Sequence, residues 1–291
     1  MPKKDSKKPI IGFIGQGFIG KNYADDFEKR GYEVIRYALE SDYVINKDKI
    51  KDCDIVFIAV PTPSTPKGFD DSILRKVIKL VGKKKIAVIK STMVPGKTES
   101  IQKENPDIFV FHSPEFLTEK TATYDAAHPT RNIVGIPVEN AIYKKKAGLI
   151  LSTLPKAPYQ NICSSREAEL TKYGGNCWFY FKVIYMNMLY DLADRLGCDY
   201  SIIRDGMAAD PRIGGTHLDP VHQGGRGAGG HCFIKDFAAF SDFYDKLIGD
   251  FEGREVLKSL TEKNIKLLVE SGKDLDLLRG VYGDNLKKKK R

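Results

Sequence analysis

A short apolar run at residues 9–14 (PIIGFI) leads directly into Gly15-Gln16-Gly17-Phe18-Ile19-Gly20. KNYADDFEKRG follows, with helical spacing and a stop at Gly31. A buried strand, a glycine turn and a helix in that order leave few folds open. Gly15 allows the sharp turn, Gly17 lets a pyrophosphate reach the backbone, and Gly20 lets helix and strand pack closely. Phosphates then rest on the unpaired N–H groups of the helix start. The alternative is a glycine-rich turn that binds nothing.

The pattern continues. YEVIRY (32–37), DIVFIAV (54–60), KIAVIK (85–90), IFVFHSP (108–114) and RNIVGI (131–136) read as strands, and SILRKVIKLVG as an amphipathic helix between two of them. Residues 139–154 read as a closing helix. This alternation predicts an α/β, Rossmann-type, doubly wound and mostly parallel sheet with helices on both faces. Ligands bind at the carboxyl ends of such strands, where residues 61–62, 91–92 and 114–119 fall. A carboxylate normally follows the second strand to hold the ribose. Here the strand ends in Arg36 and Tyr37, with Glu40 and Asp42 further on, so a 2′-phosphate on the ribose stays open.

Near Ser164 the pattern changes. Ser164-Ser165-Arg166-Glu167 has the form of a capping box, and a long helix is predicted from there to about Leu196, stopped by Gly197. Leu170, Tyr173, Cys177, Phe181, Ile184, Met188 and Leu192 form an apolar stripe suited to a core or a subunit interface. Gly174 and Gly175 interrupt it, which a kink, a close-packed backbone or a ligand would explain. A short helix at 199–210, a long loop to about 230 and a helical stretch from Lys235 to about Ser271 complete an all-helical second domain. The expected division is a cofactor domain at 1–160, a helical domain at 161–271 and a basic tail at 272–291.

Within that second domain, GGRGAGGHCFIKD (224–236) places Cys232 after a glycine-rich run and before a helix start. Free N–H groups and the helix dipole stabilise a thiolate there. The alternative is a tight loop that happens to contain a cysteine. The five cysteines (53, 163, 177, 198, 232) are odd in number and irregular in spacing, with no CxxC pair. This argues against a disulfide framework or a metal site and for a reducing compartment. No apolar run precedes a cleavage site and none approaches 18 uncharged apolar residues, so the expected location is the cytoplasm. The net charge of +9 lies largely in MPKKDSKKP and KKKKR at the two ends, which read as solvated tails. No nucleic-acid motif accompanies them, so neither nucleic acid nor membrane is expected as a partner.

In combination, the GQGFIG unit, VPTP at 60–63, KST at 90–92, SPEFLTE at 113–119, ELTKYGGN at 169–176 and GAGGHCFIKD at 227–236 resemble the UDP-glucose/GDP-mannose dehydrogenase family, in the family's order. The resemblance implies oxidation of a sugar C6 alcohol to a carboxylate with two NAD. It implies Cys232 as the nucleophile toward the aldehyde, and Lys172 and Asn176, four apart on a helix, as stabilisers of the oxyanion. Asp236 and Thr92 match residues that hold a catalytic water, and Glu115 and Glu119 match glutamates near the substrate and thioester. Gly15, Gly17, Phe18, Ile19, Gly20, Val60, Thr62, Thr92 and Lys235 fall to the cofactor by the same likeness. Glu115, Phe116, Leu117, Glu119, Lys172, Asn176 and Gly229 fall to the substrate. Arg212 matches an arginine that a partner subunit contributes, so a homodimer through the long helix is implied. Family members carry a further C-terminal domain that holds the nucleotide; this sequence ends at residue 291, which reads as a short form. Two other readings stay open: a two-electron β-hydroxyacid or 6-phosphogluconate-type dehydrogenase with Lys172 as acid/base, and a non-catalytic NAD-binding homologue.

Overall fold

The computed structural model describes residues 8–284, and the lysine-rich residues 1–7 and 285–291 lie outside the described residues. The chain runs β1 (Ile11–Ile14), α1 (Phe18–Lys29), β2 (Val34–Tyr37), α2 (Ser41–Val44), β3 (Ile55–Ile58), β4 (Ser64–Thr65), β5 (Gly68–Phe69), α3 (Ser72–Val77), β6 (Ile86–Ile89), α4 (Lys97–Glu104) and β7 (Phe109–His112). It continues with α5 (Ala122–Ala127), β8 (Arg131–Ile136), α6 (Ala141–Thr153), β9 (Tyr159–Ser164), α7 (Ser165–Arg195), α8 (Tyr200–Ala208), β10 (Val221–His222), β11 (Gly225–Arg226), α9 (Gly230–Leu247), α10 (Phe251–Ser271) and α11 (Leu275–Tyr282). Two compact units form: Met1–Thr62 with Asp71–Lys172, and Pro63–Asp70 with Tyr173–Arg291.

The first unit is a seven-stranded sheet in the order β2-β1-β3-β6-β7-β8-β9. All neighbouring pairs are parallel except β7 with β8. β1, β3 and β6 are buried at every residue, which is why their sequences are apolar throughout rather than alternating. Phe13, Phe27 and Phe57 form the centre of the core, with the Phe13 and Phe57 rings stacked at 5.1 Å. The chain leaves β1 for β2 on one side and returns to β3 on the other, so the strand order reverses at the carboxyl ends of β1 and β3. β9 escapes the sequence pattern because it is an edge strand without a buried residue.

α7 begins in the first unit and continues into the second. Its start is the expected capping box: the Glu167 carboxylate accepts from Ser164 N at 2.7 Å, and Glu167 N donates to Ser164 Oγ at 3.3 Å. Gly197, at φ +68°, ends it. The helix is unbroken at Gly174 and Gly175, and a Cβ built on either meets nothing within 4 Å, so a close-packed backbone does not explain them. The expected apolar stripe divides. Tyr173, Cys177 and Ile184 are buried, while Leu170, Met188 and Leu192 are exposed together with Trp178 and Tyr185.

In the second unit, Tyr180 stacks on Phe237 at 3.8 Å within a core that includes Cys177, Ile184 and Leu257. Two expectations are corrected here and one is refined. The 210–230 loop contains the β10–β11 hairpin, held where Arg226 donates to Asn187 and Asp191 of α7. The stretch from Lys235 to Ser271 is two helices, parted at Gly249 (φ +70°) and restarted by Asp250, whose side chain accepts from Gly253 N. The expected tail contains α11, whose Leu278 and Val281 are buried against Ile234 and Leu268. By compactness the second unit begins at Tyr173 and takes in residues 63–70.

Candidate active site

In the first unit the glycine turn has the stereochemistry its sequence requires. Gly15 adopts φ +90°, and a Cβ there would lie 2.2 Å from the Ala59 carbonyl oxygen. A Cβ on Gly20 would lie 1.9 Å from the Gly15 carbonyl oxygen, so helix and turn touch backbone to backbone. Gly17 differs: its φ is −71°, and a Cβ there meets nothing within 4 Å. It is the N-cap of α1, with no side-chain cap and no acidic residue in the first turn. The N–H groups at Phe18 and Ile19 are therefore left to an anion. Arg36 at the end of β2 is engaged by Asp25 at 2.7 Å and Glu28 at 2.7 Å. Although burial opposes it, hydrogen bonds from Lys21 and Arg36 hold the Asp25 carboxyl below its ordinary range.

At the ends of β3 and β6, Thr62 Oγ1 donates to Thr92 O at 2.8 Å, and Val60 N donates to Ser91 Oγ at 3.0 Å. The loops carrying Val60, Thr62 and Thr92 thus form one wall. Beyond β7 lies a buried ion pair. Lys172 Nζ is 2.8 Å from Glu115 Oε1, both residues are 5% exposed, and Leu117 N donates to Glu115 Oε2 at 2.7 Å. Phe116 stacks under the Arg131 guanidinium at 3.8 Å. Glu119 is exposed on the following turn. Glu169, one turn before Lys172, is fully buried and accepts from Gly96 N, Thr98 N and Thr98 Oγ1 at 2.6–2.9 Å. It caps α4 from across the unit and fixes the first turns of α7.

In the second unit Cys232 is exposed in the first turn of α9, and Asp236 lies one turn further on, so the two share a helix face. Asp236 is 1% exposed, accepts from Asn176 Nδ2 at 2.6 Å, and is paired with Lys235. Burial, reinforced by the Asp236 charge, pushes the Cys177 thiol well above its ordinary range and keeps it protonated. Cys232 is therefore the exposed thiol on this helix start, and Cys177 belongs to the core. Arg212 is exposed and bidentate with Asp210 at 2.6–3.2 Å.

Several supports were not legible in the sequence. The loop before Cys232 is held by side chains far along the chain. Ala228 N donates to Asn264 Oδ1 at 2.7 Å and Asn264 Nδ2 donates to Ala228 O at 3.0 Å. Gly230 N donates to Asp274 Oδ2 at 2.7 Å, and Lys273 Nζ donates to Gly227 O at 3.2 Å. A Cβ on Gly229 would lie 2.0 Å from Asp274 Oδ2, so a larger residue there would displace that side chain. The only advance signal was the density of glycines. An open cavity of about 640 Å³, lined by Arg131, Tyr159 and Cys163 among others, contains none of the expected site residues, so volume alone does not mark the site. Among the described residues no group of three His, Cys, Asp or Glu could hold a metal ion, and no helix is long and apolar enough to cross a membrane.

Comparison with known proteins matches residues 36–147 to the NAD binding domain of the UDP-glucose/GDP-mannose dehydrogenase family and residues 166–264 to its central domain. The chain is 30% identical over 282 residues to UDP-glucose 6-dehydrogenase of Rickettsia prowazekii, covering 88% of this chain and 63% of that protein. It is 31% identical over 248 residues to UDP-glucose 6-dehydrogenase YwqF of Bacillus subtilis, covering 80% of this chain and 53% of the other. The chain thus spans less than two thirds of these relatives. Among solved structures, a UDP-glucose dehydrogenase from Pyrobaculum islandicum superposes with a TM-score of 0.77 at 22% identity, covering 98% of this chain and 86% of that one. The fold is shared more widely: Mycobacterium tuberculosis 3-hydroxyisobutyrate dehydrogenase superposes with a TM-score of 0.71 at 14% identity, covering 94% and 98%.

Proposed function

The chain belongs to the UDP-glucose/GDP-mannose dehydrogenase family, and on that premise we propose that it oxidises the C6 hydroxyl of a nucleotide sugar to a carboxylate in two NAD-dependent steps. The glycine turn fits the cofactor's pyrophosphate, because Gly17 leaves open space where a side chain would stand and the α1 N-terminus has no cap of its own. Arg36 is neutralised by Asp25 and Glu28, which supports NAD over its 2′-phosphorylated form. Bound NAD supplies the two-electron acceptor for each oxidation. Val60, Thr62 and Thr92 form the wall beside it.

Cys232 is the nucleophile. Its thiolate adds to the C6 aldehyde to form a thiohemiacetal, whose oxidation gives a thioester. Water then breaks the C–S bond, releasing the carboxylate and returning the thiol. Lys172 and Asn176 stabilise the oxyanion. Asp236 and Thr92 hold the hydrolytic water, and Glu115 activates it. Phe116, Leu117, Glu119 and Gly229 contact the sugar nucleotide. Arg212 reaches the substrate of a partner subunit. The exposed apolar face of α7, with Trp178, Tyr185, Met188 and Leu192, supports a homodimer through that helix. Five cysteines outside any disulfide among the described residues support a reducing, cytoplasmic setting.

The observation that carries this reading is the helix face of α9, which presents exposed Cys232 one turn from Asp236, with Asp236 bonded to Asn176. The test is turnover of UDP-glucose, GDP-mannose and N-acetylated UDP-hexosamines, counting NADH and acid in wild type and Cys232→Ser. Two NADH per acid in wild type, with acid lost and NAD binding kept in the variant, is the expected result. Unchanged acid formation by Cys232→Ser rules out the thioester route. One NADH per substrate selects the two-electron dehydrogenase instead, and NAD binding with no turnover selects a non-catalytic homologue.

A further inference from the structure

Lys90 directly follows the strand β6 and is 3% exposed, yet nothing in the mechanism above uses it. Its Nζ donates to Ser113 Oγ at 3.2 Å and sits 4.4 Å from the centre of the Tyr23 ring. A buried ammonium normally claims a carboxylate. The carboxylate whose field reaches Lys90 is Glu115, and both its oxygens are taken, by Lys172 Nζ at 2.8 Å and Leu117 N at 2.7 Å. Glu115 is thus in contact with Lys172 and not with Lys90, whose polar partner is Ser113 Oγ, and it acts on Lys90 only through its field. With all three ionised, these groups carry a surplus positive charge in a buried region, where screening is weak.

The other titratable groups around it do not supply the balance. His112 is fully buried, with Nε2 against Ser91 O at 3.2 Å. Burial, with Lys90 and Lys172 adding, pushes its ring down to about 3, so it is neutral. Burial and then Glu115 push the Tyr23 phenol upward, so it remains protonated. For Lys90 itself burial dominates, opposed by Glu115 and reinforced by Lys172, and brings the amine down to about 7. Of the buried groups here, Lys90 is the one whose surroundings bring it toward neutrality.

We propose that Lys90 is a positioning residue for the Glu115–Lys172 pair, alternating between amine and ammonium as the charge beside that pair changes and so setting the pH range in which the pair works. The part concerning turnover rests on the function proposed above; the part concerning charge does not. An arriving or developing anion draws the proton onto Lys90, and its departure releases it.

The test compares wild type with Lys90→Met, fixed neutral at similar volume, and Lys90→Arg, fixed cationic. In protein labelled with ¹³C-lysine, the resonance missing from Lys90→Met is expected to titrate near pH 7, and Glu115→Gln is expected to move that midpoint down by about one pH unit, since the carboxylate favours the ammonium. Where turnover is measurable, wild-type kcat is expected to follow Lys90→Arg below pH 7 and Lys90→Met above it, with KM changed less than about twofold. Melting temperatures check that each variant folds. Should Lys90→Met unfold, the assignment is made from the Lys90→Arg spectrum. A Lys90 midpoint near that of free lysine, or one unmoved by Glu115→Gln, overturns the proposal. So does an inflection in kcat near pH 7 that survives in both Lys90 variants. Absence of turnover in wild type sinks the functional reading alone, and the two titrations then decide the role of Lys90.

Discussion

Replacing Glu169 by glutamine examines how the long helix is tied to the sheet unit. Glu169 is fully buried, and its carboxylate accepts from Gly96 N at 2.6 Å, Thr98 N at 2.9 Å and Thr98 Oγ1 at 2.6 Å. Burial outweighs these donated hydrogen bonds and pushes the carboxyl up to about 7 from an ordinary 4.5. An acid raised in the fold favours the protonated native state. Its contribution is therefore complete below pH 4.5 and is lost as pH rises to 7. That interval corresponds to about 3 kcal/mol. Glutamine cannot ionise, so its own contribution is flat, but its amide sets an N–H against a backbone N–H and costs about 1–3 kcal/mol. Urea unfolding followed by circular dichroism should show wild type more stable than Glu169→Gln near pH 5, with the advantage shrinking or reversing by pH 7.5. A difference between the two proteins that stays constant within about 0.5 kcal/mol across that range refutes the reasoning.

Gly17→Ala should leave the melting temperature unchanged and weaken NAD binding at least about tenfold by calorimetry, because its Cβ enters open space needed by the pyrophosphate. Gly20→Ala should lower both, since its Cβ would lie 1.9 Å from the Gly15 carbonyl oxygen. In the buried pair, Lys172→Met and Glu115→Gln should each destabilise by about 3–5 kcal/mol. Glu115→Gln should be the worse, because it strands Lys172 and Lys90 together, and the double variant should recover most of the loss in a denaturation cycle. Asp274→Ala removes the acceptor of Gly230 N at 2.7 Å and should cost about 0.5–2 kcal/mol, while raising the rate at which iodoacetamide labels Cys232 by mass spectrometry. A labelling rate equal to wild type would show that Asp274 does not hold the cysteine's loop.

What could be read in advance was what local pattern encodes. The apolar runs of β1, β3 and β6, the GQGFIG turn, the Ser164–Glu167 capping box and the stop at Gly197 each lie within a few residues, and each formed as its spacing required. Lys172, Glu115 and Cys232 were legible as candidates through the family's motifs. β9 was not, because an edge strand with no buried residue has no reason to be apolar. Nor was α11, whose Leu278 and Val281 are hidden in a charged stretch and become core only against Ile234 and Leu268.

Local pattern set the buried strands and the main helices, and the residue types available for chemistry, since those depend on backbone preference and hydrophobic period over short spans. Only packing decided which of two glutamates is buried against Lys172, that Cys232 is exposed while Cys177 is buried, and that Asp274, Lys273 and Asn264 hold the loop before Cys232. Those outcomes depend on burial and on partners tens of residues apart. The charge state of an ionisable group is set by what surrounds it in space, and no local pattern records that.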